Sequence, residues 1–288
     1  MVFESNILNI YGEKGKEWLI NLPELVKNSV LEFELTNLQP ATNLSYNYIL
    51  SAMQNNKHVI LKFSFDKESL KKEADALNAF RDCGAVKLLA QKEDRLLLER
   101  IMPGTTLRSY FPEREIEALE IICEVINKLH RAEIPQNHNF CYLKDMLRVL
   151  DDKHKINDRL LEKGRFYRDE LLASRAADIL LHGDLHHDNI LKNSNDWVFI
   201  DPKGVIGEPA YEICGFIRNP MPELLKEKYA LNIIQKRIEV FSDRMNIDLK
   251  RIQAWCFVGS LLSLIWAIED GIDTKYFEEV TKIFDKLT

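Results

Sequence analysis

The sequence predicts an α+β chain of two lobes, a small antiparallel sheet with one inserted helix followed by a mainly helical region. Three observations predict it. Residues 31–100 hold several short apolar or alternating runs separated by turn formers. Beyond Pro103-Gly104 the apolar residues recur at helical spacing, as in Ile116, Leu119, Ile122, Ile126 and Leu129. Among those helices sits one β-like island, 179–191 with 198–200. The division falls after Met102, giving lobes 1–102 and 103–288, and 288 residues suffice for both.

In residues 13–27, Trp18, Leu19, Leu22, Leu25 and Val26 follow helical spacing, with Pro23 expected to kink or split the helix. LEFEL, 31–35, alternates apolar and charged residues and reads as a half-buried strand. Residues 44–50 and 58–63 read as two strands of a hairpin through QNNK, 54–57. Residues 66–80 form a helix capped by Asp66, with Leu70, Ala74, Leu77 and Phe80 on one face. Strands follow at 86–90 and 95–100. The second lobe is expected to hold helices at 115–131, 143–162, 165–177, 222–245, 249–269 and 275–287. No internal repeat or low-complexity segment occurs.

With 46% hydrophobic and 29% charged residues, the composition is that of a globular protein and excludes disordered and fibrous classes. A net charge of −6 argues against general affinity for nucleic acid or anionic membrane. Five cysteines, an odd number with no CxxC pair, argue against a disulfide framework or thiolate zinc site. MVFESNILNI has no basic segment ahead of a long apolar run, and the late apolar stretch 256–268 is too short to span a bilayer. A cytoplasmic protein is expected.

The chemistry concentrates in LHGDLHHDNIL, 181–191, and WVFIDPKG, 197–204. Asp184 and Asn189 stand five positions apart on one tight loop, and Asp201 ends the adjoining strand. Phosphoryl transfer needs an aligned hydroxyl, a carboxylate to orient it or take its proton, and a divalent cation across the phosphates. Magnesium prefers hard oxygen ligands, which an Asp and an Asn carbonyl supply. The spacing is that of the kinase catalytic loop, with Gly183 where protein kinases carry Arg. Carboxylates that merely cap turns would not require all three residues in this order. A zinc site from His182, His186, His187 and Asp188 is the weaker reading. His182 is better explained as holding the loop by hydrogen bonds.

HGDLHHDNIL followed by W-x-x-IDPKG-x-x-GEPAYE resembles the aminoglycoside and hydroxyurea antibiotic resistance kinases, the group containing streptomycin 6-kinases. These belong to the protein-kinase-like aminoglycoside phosphotransferases. The resemblance extends to LLLER, 96–100, as the inter-lobe segment, and to RNP, 218–220, and WAIEDG, 266–271. It implies a bilobal protein-kinase-like fold. It also implies Asp184 as catalytic base or hydroxyl-orienting residue, and Asn189 and Asp201 as Mg²⁺ ligands. Lys62, in VILKF at 59–63, matches the strand lysine on the α/β-phosphates. Glu73 is its expected partner, with Glu68 a rival on the same helix. Glu99 and Ile101, within 99–102, would line the adenine pocket through backbone groups.

Three features depart from the pattern. The phosphate-covering loop should fall at 36–45, yet LQPATNL holds no glycine, leaving backbone N–H groups with Thr42, Asn43 or Ser45. DPKG stands where protein kinases have Asp-Phe-Gly. Glu208 and Glu212 stand where the family pattern has Asp. Glu208, Glu212, Glu269 and Asp270 could attract a cationic aminoglycoside, although solvation or capping explains each equally. Lys203 could reach the phosphates or point to solvent. Trp255 and Trp266 are expected in the core.

The expected activity is transfer of the γ-phosphate of ATP, or GTP, with Mg²⁺, to an alcohol group of a small molecule, first of all a streptomycin-type aminoglycoside. The alternatives are a kinase of an endogenous sugar, amino alcohol or choline-like metabolite and, from another class, a nucleotide-binding regulator without turnover. A protein kinase is disfavoured. Gly183 removes the arginine that would pair with a phosphorylated activation loop, and few residues separate Asp201 from Pro209.

Overall fold

A computed structural model describes residues 2–42 and 44–288. Asn43, one of the expected phosphate-loop residues, lies outside the described residues. The chain opens with helix α1 (Val2–Glu32), followed by β1 (Thr36–Pro40), β2 (Asn47–Gln54), β3 (Lys57–Ser64), helix α2 (Lys67–Ala79), β4 (Leu88–Gln91) and β5 (Arg95–Glu99). The five strands form one antiparallel sheet in the order β1-β2-β3-β5-β4. The hairpin between β2 and β3 turns on Asn55 and Asn56, both left-handed at φ 48° and 62°, the twist a two-residue hairpin needs. Helix α2 begins where the Asp66 side chain accepts the Ser69 N–H at 3.0 Å. Helix α1 lies on the sheet, with Phe3, Ile7 and Leu22 against Leu50, Leu61, Phe63 and Leu97. Each large apolar side chain so buried contributes about 1.5–3 kcal/mol.

Two expectations for this region are corrected. The break in α1 falls at Gly12 (φ 55°, ψ −133°), a conformation open to glycine, while Pro23 stays inside the helix. LEFEL is not a strand. Its first two residues finish α1, and the Leu35 N–H then closes back on the Val30 carbonyl at 2.9 Å around left-handed Glu34. The alternation at 31–35 is thus a helix end and its wrap, and the first strand starts at Thr36.

The remaining chain comprises β6 (Pro103–Thr106), α3 (Glu115–Leu129), β7 (Cys141–Tyr142), α4 (Leu143–Met146) and α5 (Asp158–Ala173). Next come β8 (Ile179–Leu181), β9 (Ile190–Asn193), β10 (Asp196–Phe199), β11 (Val205–Gly207) and α6 (Pro209–Ile217). Helices α7 (Glu223–Lys226), α8 (Ala230–Met245), α9 (Leu249–Glu269) and α10 (Lys275–Leu287) complete it. Two small sheets, β10-β9-β6 and β7-β11-β8, frame the loop that carries Asp184. The result is a bilobal protein-kinase-like fold, a sheet lobe with an inserted helix over a mainly helical lobe.

The expected helices at 143–162 and 165–177 are redistributed. The chain breaks over 152–157, and α5 runs as one helix from Asn157, whose side chain accepts the Arg159 N–H at 3.0 Å. Gly164 lies inside that helix for a packing reason, since a Cβ there would fall 2.4 Å from Leu261 Cδ2 on α9. The span 222–245 likewise divides into α7 and α8. Helix α9, 21 residues, is long and apolar enough to cross a membrane by length and composition, yet it is the buried hub of the lobe, packed by α5, α6, α8 and α10.

Candidate active site

The loop between β8 and β9 is held from three sides. His182 is fully buried. Its Nδ1 accepts the Asp184 N–H at 3.2 Å, which leaves Nε2 to donate to the Ile200 carbonyl at 2.8 Å. One imidazole therefore ties the loop to the strand that delivers Asp201, and burial holds it neutral by lowering its pKa to about 4. From below, the Glu212 carboxylate on α6 accepts the His182 N–H at 2.6 Å and the Gly183 N–H at 3.2 Å. Burial pushes that carboxyl up to about 7, against the pull of the two N–H groups. Gly183 is left-handed at φ 84°, and a Cβ on it would meet Val205 Cγ2 at 2.6 Å, so no larger residue fits this position without movement.

Asn189 donates through Nδ2 to the Asp184 carbonyl at 2.9 Å, which leaves its own carbonyl oxygen available. Asp201 is left-handed at φ 58°, a strained state for a non-glycine residue of the sort concentrated at functional sites. Its Oδ1 accepts from Lys62 Nζ at 3.0 Å. Lys62, 2% exposed on β3, also donates to both carboxylate oxygens of Glu73 on α2, at 2.8 and 2.7 Å. Burial opposes the lysine's charge, but Asp201 and Glu73 outweigh it and hold its pKa above the ordinary value. Burial likewise works against the Asp201 charge, and Lys62 outweighs it, keeping that carboxyl below its ordinary value. The rival partner, Glu68, pairs instead with Lys72 at the surface, 2.9 Å away. Asp184 and Asp201 line one cavity of about 730 Å³, in which the Asp184 carboxylate lies 3.9 Å from His186 Nε2. The free carbonyl of Asn189 and the remaining oxygen of Asp201 are hard donors, the kind Mg²⁺ takes.

Glu99 and Ile101 stand apart from that cavity. Glu99 pairs with Val59 across β3 and β5 and donates its N–H to the Lys87 carbonyl at 2.9 Å, while Ile101 is buried beside Leu98. Half-buried Ile60, Leu191 and Ile200 pack on the same cluster, forming an apolar seam between the sheet and the β9–β10 hairpin. At the expected phosphate loop, the Ser45 carbonyl accepts Asn6 Nδ2 of α1 at 3.0 Å. Lys203 is exposed and lines the cavity beside Asp201.

The four acidic candidates part company. Asp270 lines the cavity. Glu269 is exposed outside it. Glu208 is buried in an ion pair with Arg251, Oε2 to Nη2 2.6 Å, and Glu212 is committed to the loop backbone, so neither faces a ligand. Of the two tryptophans, Trp255 is core but Trp266 is 37% exposed and lines the cavity, against expectation. His187 stacks on Phe216 at 3.9 Å, and Asp188 accepts a bidentate Arg108 at 2.6 Å, so both are occupied structurally. Tyr211, Arg218 and Tyr276 also line the cavity; the first two lie in the GEPAYE and RNP motifs, to which no side-chain role had been given, and nothing in the sequence singled out Tyr276. Ser263, Trp266 and Ala267 on α9 recur at i, i+3 and i+4, and Asp270, its C-terminal cap, continues the spacing at i+7, a readable signal of one face turned to a site.

Known proteins resemble this chain along most of its length. A family model described as aminoglycoside/hydroxyurea antibiotic resistance kinase matches residues 37–271. A streptomycin 6-kinase of Streptomyces griseus is 24% identical over 271 residues, covering 91% of this chain and 88% of that one. A hydroxyurea phosphotransferase of Kitasatospora aureofaciens is 25% identical over 275 residues, covering 90% and 77%. Among solved structures, the aminoglycoside phosphotransferase APH(4)-Ia in ternary complex with ADP and hygromycin B superposes with a TM-score of 0.67 at 17% identity, covering 90% of this chain and 96% of that one.

Proposed function

The chain belongs to the aminoglycoside/hydroxyurea antibiotic resistance kinase family, and from that premise we propose that it transfers the γ-phosphate of ATP to a hydroxyl group of a small polar molecule, with a streptomycin-type aminoglycoside as the first candidate. The observation that carries the reading is the Lys62–Glu73–Asp201 cluster, which opens onto the cavity that Asp184 lines. Residues 1–102 serve as the nucleotide lobe and 103–288 as the lobe of the catalytic loop and acceptor, both in the cytoplasm.

Lys62 neutralises the α/β-phosphates and is kept charged and in place by Glu73. The apolar seam of Ile60, Leu191 and Ile200 takes the adenine, with the backbone of Glu99 and Ile101 at its edge. Asn189 and Asp201 would hold Mg²⁺, which when bound supplies positive charge to the phosphate oxygens. Asp184 orients the acceptor hydroxyl and takes its proton as the oxygen attacks the γ-phosphorus in line. Its carboxylate is open to the cavity while its backbone is fixed by His182 and Asn189. That combination gives a free base on a rigid support. Asp270 receives a cationic group of the acceptor.

A second reading, a choline-like amino alcohol, draws on Trp266 beside Asp270, since an aromatic face next to a carboxylate is how quaternary ammonium groups are held. A coupled ADP-release screen over streptomycin, other aminoglycosides and common metabolic alcohols tests both. Turnover with streptomycin is the expected result, turnover with choline alone favours the second reading, and ADP release with no acceptor in the panel contradicts both.

A further inference from the structure

Arg218 is the C-terminal cap of α6 and lines the cavity. Among the described residues it makes no side-chain hydrogen bond or ion pair, whereas most other arginines bordering the helical lobe do: Arg108 holds Asp188, Arg237 holds Glu115 and Arg251 holds Glu208. An arginine left without an anion in a half-buried position forgoes the charge-assisted hydrogen bonds its five donors could make. Its location is fixed from two sides. Its own carbonyl accepts the Tyr276 hydroxyl, and its Nη1 lies 3.4 Å from where a Cβ on Gly259 would stand, with Tyr211 Cε2 at 3.5 Å from the same point. The guanidinium thus lies against the Gly259 face of α9, beside the Tyr211 ring. Arg218 follows by three residues Gly215 of α6, where a Cβ would lie 2.6 Å from the carbonyl of Leu185, the residue after Asp184, so the arginine belongs to the catalytic end of the cavity.

Asp270 marks the other end. It is also without a side-chain partner among the described residues. As the C-terminal cap of α9 it lies eleven residues beyond Gly259, roughly 16 Å at 1.5 Å per residue. Between them the cavity-facing stripe of α9 is Ser263, Trp266 and Ala267. The wall thus offers a cation near the reacting hydroxyl and an anion far from it, which a uniformly cationic ligand would satisfy at one end only.

We infer that Arg218 is a specificity residue which binds an oxygen acceptor of the substrate, a carbonyl, carboxylate or vicinal hydroxyl oxygen, next to the phosphorylated hydroxyl. This deepens the kinase reading and rests on it. The substrate class it selects is a polar molecule with an oxygen-rich end at the site of transfer and, where the molecule is long enough, a protonated amine or guanidine at the Asp270 end. A molecule of a few heavy atoms can engage Arg218 but cannot span to Asp270.

The test is calorimetric titration of streptomycin and of hydroxyurea into protein loaded with Mg·AMP-PNP, using wild type, Arg218→Met and Asp270→Asn. Arg218→Met should weaken both probes roughly tenfold to a hundredfold, the range for a lost charge-assisted hydrogen bond. AMP-PNP affinity should stay within about twofold. Asp270→Asn should weaken streptomycin and leave hydroxyurea unchanged. Arg218→Lys, which keeps the charge but loses the planar fork of donors, should weaken the same probes by a smaller factor, and it serves if Arg218→Met does not fold. Unchanged probe affinity in Arg218→Met, an equal loss for nucleotide, or wild type that binds AMP-PNP but neither probe overturns the inference and leaves the kinase reading to the ADP-release screen. Wild type that binds no nucleotide overturns the kinase reading itself.

Discussion

Lys62 Nζ sits 2.8 and 2.7 Å from the two carboxylate oxygens of Glu73, and both side chains are closed off from bulk water. With Asp201 as its third contact, Lys62 joins β3, α2 and the end of the strand from the helical lobe at one point. The two lobes meet through a charge cluster, and its geometry bears directly on where a triphosphate would lie.

The pair predicts opposite outcomes for two neighbouring carboxylates. Glu73→Gln should lower kcat/KM roughly tenfold to a hundredfold, because Lys62 then leans on Asp201 alone. Glu68→Gln, in a solvent-exposed pair at the mouth of the same cavity, should have a clearly smaller effect. Steady-state kinetics on the two variants checks this, and equal effects would remove the special standing of Glu73.

Gly215 on α6 faces the Leu185 carbonyl of the catalytic loop, and a Cβ there would lie 2.6 Å from that oxygen. The obstacle is backbone, so Gly215→Ala must move either α6 or the loop, despite alanine's higher helix propensity of about 1 kcal/mol. A net loss of roughly 1–3 kcal/mol in denaturant unfolding is expected, with a fall in turnover larger than the fall in nucleotide affinity. A variant as stable and active as wild type would show that the loop does not rest on α6.

His130 caps α3, its Nε2 is buried without a partner, and burial lowers its pKa to about 4. Unfolded, the ring titrates near 6.5. Between these values the unfolded chain binds more protons, so this residue's contribution is full above pH 6.5 and is lost as pH falls towards 4. His130→Leu should therefore gain stability relative to wild type by about 1.4 kcal/mol per pH unit across that interval. Urea unfolding at pH 7, 6 and 5 reads the difference, and parallel curves for the two proteins would contradict it.

Much of the centre was legible because its chemistry demands fixed residue types at fixed spacing. Asp184, Asn189 and Asp201 stand out in the chain, and Lys62 and Glu73 follow from a strand and the next helix. Glu208 and Glu212 were not legible. A sequence does not distinguish a carboxylate that faces solvent from one that faces Arg251 or the N–H groups of His182 and Gly183. The helix break expected between 162 and 165 does not occur, and Gly164 there marks a close approach of α5 to Leu261. The parallel pairing of β7 with β11 rests on two residues from each strand, too short for any periodicity to reveal. Trp266 was hidden by the apolar run around it, where only Ser263 and Asp270, in phase with it, distinguish the cavity face from the core.

The central claim is that Asp184 acts on the acceptor hydroxyl from a loop that Lys62, Asn189 and Asp201 bring to the phosphates. The most direct measurement is single-turnover phosphate transfer from Mg·ATP to streptomycin, or to whichever alcohol the ADP-release screen selects, by wild type and Asp184→Asn. The account predicts a rate roughly 100-fold to 10,000-fold lower in the variant, with ATP affinity essentially unchanged. A variant that transfers phosphate at the wild-type rate would contradict it.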